Sequence, residues 1–446
     1  MEATENRMGT KPLFPLLVSM ALPPMVSMLI QSLYNIVDSI FVARLSEQAL
    51  AAVSLVFPLQ NLSLAFSVGM GVGLNSCIAR RLGAKQQKKA QEAVNHGFLL
   101  AGLQGLLFVF IGLFLSRPFL SLFTKDSATL DMAVSYSRIV ICFTFGSHIH
   151  IAAEKIFQSV GQMVIPMIMQ MVGAIVNIIL DPVFIFGMFG VPKFGVRGAA
   201  IATIIGQMAA CLLSILFLYG SKNAIKPSWK GFRFNGKTIG DIYQVGIPSG
   251  ILVALPSALV GILNGILSYS ETAVAVLGLY YKMQSFVYMP ANGMIQGLRP
   301  IAAYNYGAGY GARLRKVVRI CVKMIGVIMA AGTVLFVGFP ELIMQLFGAQ
   351  EEMMKMGSMA LRIIGTGFVF SAFSLTYSGT FEALGKGGYS LIISLLRQFL
   401  VIVPLAILLP AVWGINGVWA AFPVAEILAA VVSVCLWRKT RKTVFA

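Results

Sequence analysis

Apolar residues run along this chain for 20 or more positions at a time, and polar residues fall between the runs or singly inside them. Each run is long enough to cross about 30 Å of hydrocarbon as a helix. Twelve spans can be drawn, at residues 13–41, 49–79, 97–116, 132–158, 162–190 and 196–220, then 241–270, 272–301, 317–338, 353–382, 387–412 and 415–437. The alternating ten-residue strands of a membrane barrel are not seen. Pro23, Pro24, Pro58, Pro182, Pro256, Pro290 and Pro404 fall inside spans and are expected to kink them. The expected fold is therefore all-α, a polytopic membrane protein.

Composition agrees, since 58% hydrophobic and 11% charged residues over 446 positions is too apolar for a soluble protein. The net charge of +18 comes from Lys and Arg in short connectors, which is a topology signal and not a nucleic-acid surface. Arg80, Arg81, Lys85, Lys88 and Lys89 sit in the second connector, Lys222, Lys226, Lys230, Arg233 and Lys237 in the sixth, and Arg313, Arg315, Lys316 and Arg319 in the eighth. Arg438, Lys439, Arg441 and Lys442 end the chain on the same side, so both termini are expected in the cytoplasm, across the cytoplasmic (inner) membrane. Cys77, Cys142, Cys211, Cys321 and Cys435 are scattered, without disulfide or metal-like spacing.

The chain is internally duplicated. GMGVGLNSCIARRLGA from Gly69 aligns with GMIQGLRPIAAYNYGA from Gly293, an offset of 224 residues. The same offset pairs FQSVG at Phe157 with FEALG at Phe381; nearer the ends Pro23 pairs with Pro248, and GVRGAAIA at Gly195 with GINGVWAA at Gly414. Two six-helix copies follow, at 1–220 and 241–446, joined by a basic linker at 221–240. Six is even, so both copies share one orientation, as in parallel transporter repeats. Gly195, Gly198, Gly414 and Gly417 are read as helix-packing positions.

Charges inside spans need a reason, because each costs a few kcal/mol in hydrocarbon. In MVGAIVNIILDPVFIFGMFG, Asn177 and Asp181 are four apart and share a helix face, while Pro182 leaves the Ile178 carbonyl without its helical donor. In the first span Gln31, Tyr34 and Asp38 form one polar stripe, with Tyr34 placed to hydrogen-bond the carboxylate. Thr203 adds an oxygen from the sixth span. Such oxygens suit a hard cation such as Na⁺, and paired carboxylates suit a proton equally. The second copy has no carboxylate at the matching positions, so ion chemistry is expected in the first. Lys282 and Arg397 lie inside spans of the second copy and are expected to support substrate or coupling, pairing with Glu382, Glu426 or helix-end carbonyls. His148, His150 and Glu154 look like metal ligands but lack further partners, and Arg362 is expected to snorkel.

YNIVDSIFV, NIILDPVFIFG, GVRGAAIAT and PIAAYNYGA together resemble the multidrug and toxic compound extrusion (MATE) transporters, nearer their DinF-like or MepA-like branches. The seventh-span glutamate of NorM-like members is here Pro256. The resemblance implies two six-helix bundles in a V, alternating access, and efflux of amphipathic or cationic compounds in exchange for H⁺ or Na⁺. It also implies that Asp38, Asn177, Asp181 and Thr203 form the cation or proton site, with Gln31 and Tyr34 nearby. No cofactor or transition metal is expected, nor a nucleic-acid partner, and the chain is expected to work as a monomer. A lipid-linked precursor flippase, favoured by Lys282, Arg299 and Arg397, is the alternative. A membrane enzyme is remote, since no HExxH or nucleophile elbow occurs.

Overall fold

The computed structural model describes residues 7–221 and 225–444; Lys222, assigned above to the sixth connector, lies outside the described residues. Among the described residues twelve helical segments follow in order: α1 (Leu13–Ala43), α2 (Glu47–Gly83), α3 (Gln87–Leu120), α4 (Ser127–Cys142 continued by Phe145–Ser159), α5 (Val164–Phe186) and α6 (Val196–Gly220), then α7 (Gly236–Ile266), α8 (Glu271–Gly307), α9 (Gly311–Gly338), α10 (Glu351–Gly365 continued by Phe368–Ala383), α11 (Gly387–Leu408) and α12 (Ile415–Val444); nine are continuous helices long and apolar enough to cross a membrane, and the bent pairs α4 and α10 make eleven. No strand occurs among the described residues. Each segment answers to one expected span. Several helices start earlier than their apolar run, α3 at Gln87 and α7 at Gly236, because a helix satisfies its backbone in water as well as in lipid.

Sharp breaks occur away from prolines, in α4 and α10. Pro23, Pro24, Pro58, Pro182 and Pro290 sit within uninterrupted helix, whereas α4 turns by 42° between Cys142 and Phe145 and α10 by 50° between Gly365 and Phe368. At each bend a threonine hydroxyl takes a ladder carbonyl: Thr144 donates to Ile141 (2.8 Å) and Thr366 to Ile363 (2.7 Å). A side chain inserted into the ladder bends a helix without proline. The two bends occupy matching points of the duplication. So do the helix caps, since Ser46 accepts from the Ala49 amide and Ser270 from the Ala273 amide, at 3.0 and 3.2 Å.

Packing divides the chain into two units, Val26–Val253 and Met1–Met25 with Ala254–Ala446. The leading segments of α1 and α7 each group with the unit built mostly from the other half of the chain. In the unit Val26–Val253, Gly69 and Gly73 of α2 admit the backbone of α7; a Cβ on Gly73 would overlap the Ile242 carbonyl oxygen. Arg81 then fastens the start of α7, donating to Thr238 (3.0 Å) and Asp241 (3.1 Å). In the other unit, Gly293 and Gly297 of α8 admit α1 in the same way; a Cβ on Gly297 would lie 2.8 Å from the Ala21 nitrogen. There Arg313 donates to the Lys11 carbonyl at 2.8 Å and Asn305 to the Met8 carbonyl at 3.0 Å. Small residues four apart thus serve here as they do in membrane helix pairs, by bringing backbones into contact.

The described part of the linker is docked against α3. Asn95 of α3 donates to the Ser228 carbonyl at 2.6 Å, the Asn235 amide donates to His96 Nε2 at 3.0 Å, and Phe232 lies 5.0 Å from the His96 ring.

Candidate functional site

The site grows from a close crossing of α5 and α6. A Cβ on Gly206 would lie 2.6 Å from the Gly173 carbonyl oxygen, so the two backbones touch one turn before Asn177. That contact, with the tight approach of Gly198 to the Phe184 carbonyl, sets Asn177 and Asp181 of α5 against Thr203 of α6. The three side chains are buried. Asn177 Nδ2 donates to Asp181 Oδ1 and to Thr203 Oγ1, at 3.4 Å each. Gly195, expected to pack, instead makes the turn before α6, with φ at 58° and open space around it; Gly414 does the same before α12 at φ 55°. Gly198 and Gly417 are the packing members of each pair.

From α1, Asp38 brings its carboxyl within hydrogen-bonding reach of Asp181. Tyr34, expected to bond Asp38, reaches the Thr203 hydroxyl and lies near both carboxylates. Gln31 stands further along the stripe and accepts a 2.8 Å bond from Gln170 Nε2, donating in turn to Asn35 at 3.4 Å. Sequence reasoning passed over Gln170, seven residues before Asn177 on the same face of α5, and Tyr136 of α4, which is buried beside Asp38 and Tyr34 with Gln60 as its partner.

Three buried oxygens of this cluster, Asp38 Oδ1, Asn177 Oδ1 and Asp181 Oδ2, receive no hydrogen bond from the described residues. Nor does any described Lys or Arg pair with either carboxylate. An acceptor-rich, cation-free cluster inside an apolar segment has the chemistry to hold a proton or a small hard cation.

The other unit is built differently. Arg397 of α11 lies 3.6 Å from Glu426 of α12, and Glu382 is taken by Arg299 at 2.6 Å. Lys282 is exposed and makes no ion pair with a described residue. Arg362 pairs with Glu341 at 2.7 Å, both half-exposed. The histidine group does not converge: His150 meets Ser214 at 2.7 Å, His148 bonds the Thr144 carbonyl, and Glu154 is held by Lys155 and Gln158.

Comparison with known proteins gives the same architecture. Multidrug export protein MepA of Staphylococcus aureus (strain MSSA476) is 25% identical over 427 residues, covering 95% of this chain and 93% of that protein. MepA of Staphylococcus haemolyticus (strain JCSC1435) is 25% identical over 420 residues, 94% of this chain and 92% of its own. A crystal structure of MATE in the bent conformation superposes with a TM-score of 0.90 at 26% identity, covering 96% of this chain and 95% of that one. An outward-facing multidrug resistance MATE transporter shares the fold along both whole chains, with a TM-score of 0.92 at 24% identity. The MatE family model matches residues 23–183 and again 247–408, with starts offset by the 224 residues that separate Gly69 from Gly293. Both copies of the duplication carry the family pattern over most of their length, and the chain belongs to the MatE family.

Proposed function

We propose that this chain is a multidrug efflux transporter that exports amphipathic and cationic organic compounds in exchange for H⁺ or Na⁺. Full-length similarity to MepA supports export of drugs, and the acceptor cluster of Asp38, Asn177, Asp181 and Thr203 is the observation that carries the coupling. Binding of the ion at Asp38 and Asp181 favours one conformation and expels drug; release on the other side resets the cycle. An ion drives this alternating access only by its difference in affinity for the two conformations. Gln31 and Tyr34 support the site from α1. The protein works as a monomer in the cytoplasmic membrane with both termini in the cytoplasm. We place Lys282 and Arg397 outside the first coupling site.

Dye efflux under imposed Na⁺ and pH gradients tests this reading. Asp38→Asn and Asp181→Asn should each abolish gradient-driven efflux while leaving the protein folded and in the membrane. Undiminished efflux in both variants would refute it, and the gradient that energises the wild type identifies the ion.

A further inference from the structure

The second unit contains a charge pair built unlike the others. Arg299 and Glu382 form a staple: the Nε donates to the carboxylate at 2.6 Å, and Ser390 adds a bond at 3.3 Å. Arg397 and Glu426 are 3.6 Å apart, beyond hydrogen-bond length, although their side chains are only 16% and 12% exposed. Each member has a second, uncharged partner. Glu426 accepts from Tyr288 Oη at 3.2 Å and from Ser374 Oγ at 3.5 Å, while the Arg397 guanidinium lies over the Tyr288 ring, 5.6 Å from its centre. Tyr280 and Tyr281 pack beside them against Phe422, and the buried Tyr281 hydroxyl has no hydrogen-bond partner among the described residues. The groups facing Glu426 are therefore Tyr280 and Tyr288 from α8, the Ser374 hydroxyl from α10 and Arg397 from α11, with Tyr281 of α8 beside Arg397.

The position within the duplication matters. The alignment that pairs Gly195 with Gly414 places Thr203 opposite Phe422 and Gln207 opposite Glu426. The pair thus lies on α11 and α12, the counterparts of α5 and α6 that carry Asn177, Asp181 and Thr203. Arg397 is presented by a π-helical turn, Leu396–Leu400, where α5 has ordinary α-helix. Such turns recur at functional sites because they re-aim one side chain at the expense of ladder hydrogen bonds.

We propose that Arg397 and Glu426 form a second proton-accepting site, in which a proton taken from water by Glu426 displaces Arg397 as the partner of the carboxylate. Tyr288 and Ser374 keep holding the neutral acid, and the Tyr288 ring keeps holding the guanidinium. The cluster passes from net neutral to net positive, which opposes a cationic substrate and favours its release. Substrate binding expels the proton by the same linkage. The inference rests on the antiport reading above and extends it to the unit that lacks Asp38 and Asp181.

Protons released per ethidium bound, measured with a pH indicator in weak buffer on the purified full-length protein, test it. Linkage requires Glu426→Gln to release about one proton fewer than wild type, with Asp38→Asn lowering the count separately. The double variant Arg397→Gln/Glu426→Gln, which leaves no uncompensated buried charge, should match Glu426→Gln and replaces it if the single variant does not fold. An unchanged count in the glutamate variants beside a lowered count in Asp38→Asn overturns this inference alone. A wild-type count of zero also overturns it and leaves Na⁺ coupling intact. The earlier reading fails separately, by undiminished gradient-driven efflux in Asp38→Asn and Asp181→Asn, because Na⁺ at that site would leave the proton count unchanged.

Discussion

Asn177 spends one amide nitrogen on two neighbours, the Asp181 carboxylate and the Thr203 hydroxyl, each at 3.4 Å. Asn177→Ala removes both bonds from a buried site, and thermal unfolding in detergent should show a loss of about 1 kcal/mol. At the membrane edge, Asp126 caps α4, accepting from the Thr129 hydroxyl at 2.5 Å and the Thr129 amide at 3.0 Å. Those bonds hold its carboxyl below the ordinary value. The cap is complete above the ordinary carboxylate range and is lost as pH falls through the lowered value. Amide-exchange protection in the first turn of α4, taken relative to the intrinsic rate at each pH, should therefore fall on acidification in wild type and be low at every pH in Asp126→Ala. Much of the candidate site was legible, because Asn177 and Asp181 share a helix face and a carboxylate in an apolar run needs a purpose. Tyr34 also reaches the Thr203 hydroxyl, which spacing along α1 cannot show. For Glu426 the sequence offered alternatives, because spacing within one helix does not choose a partner on another.

Gly73 and Gly102 both lie in membrane helices, yet they should respond oppositely to the same change. Gly73→Ala drives a methyl group into the Ile242 carbonyl, so either α2 or α7 must shift. Overpacking of that kind costs about 1–3 kcal/mol. Gly102→Ala meets no atom within 4 Å and should be neutral or stabilising, by up to about 1 kcal/mol through helix propensity. Thermal stability of the two purified variants decides the matter. The existence and order of the helices followed from apolar runs alone. Their two sharp breaks did not, because a threonine bonding back to a ladder carbonyl leaves no mark in hydropathy, whereas a proline is conspicuous. The exchange of leading segments was equally invisible: GxxxG at Gly69 and again at Gly293 announces a close partner without saying which helix it is.

Across the whole molecule the bases in alternate connectors predict an orientation that labelling can check. In a cysteine-free background, a cysteine replacing Glu47 should react with an impermeant maleimide on intact cells, and one replacing Lys85 only after permeabilisation; the reverse result would invert the proposed topology. The exchanged segments also constrain biogenesis. A nascent chain emerges from its amino terminus, and the unit Val26–Val253 cannot seal the groove at Gly69 and Gly73 until α7 has been synthesised. Residues 13–25 must wait longer still, for α8. Neither half of the gene therefore encodes a self-sufficient folding module, and a chain cut in the linker would regain its structure only when both pieces were made together.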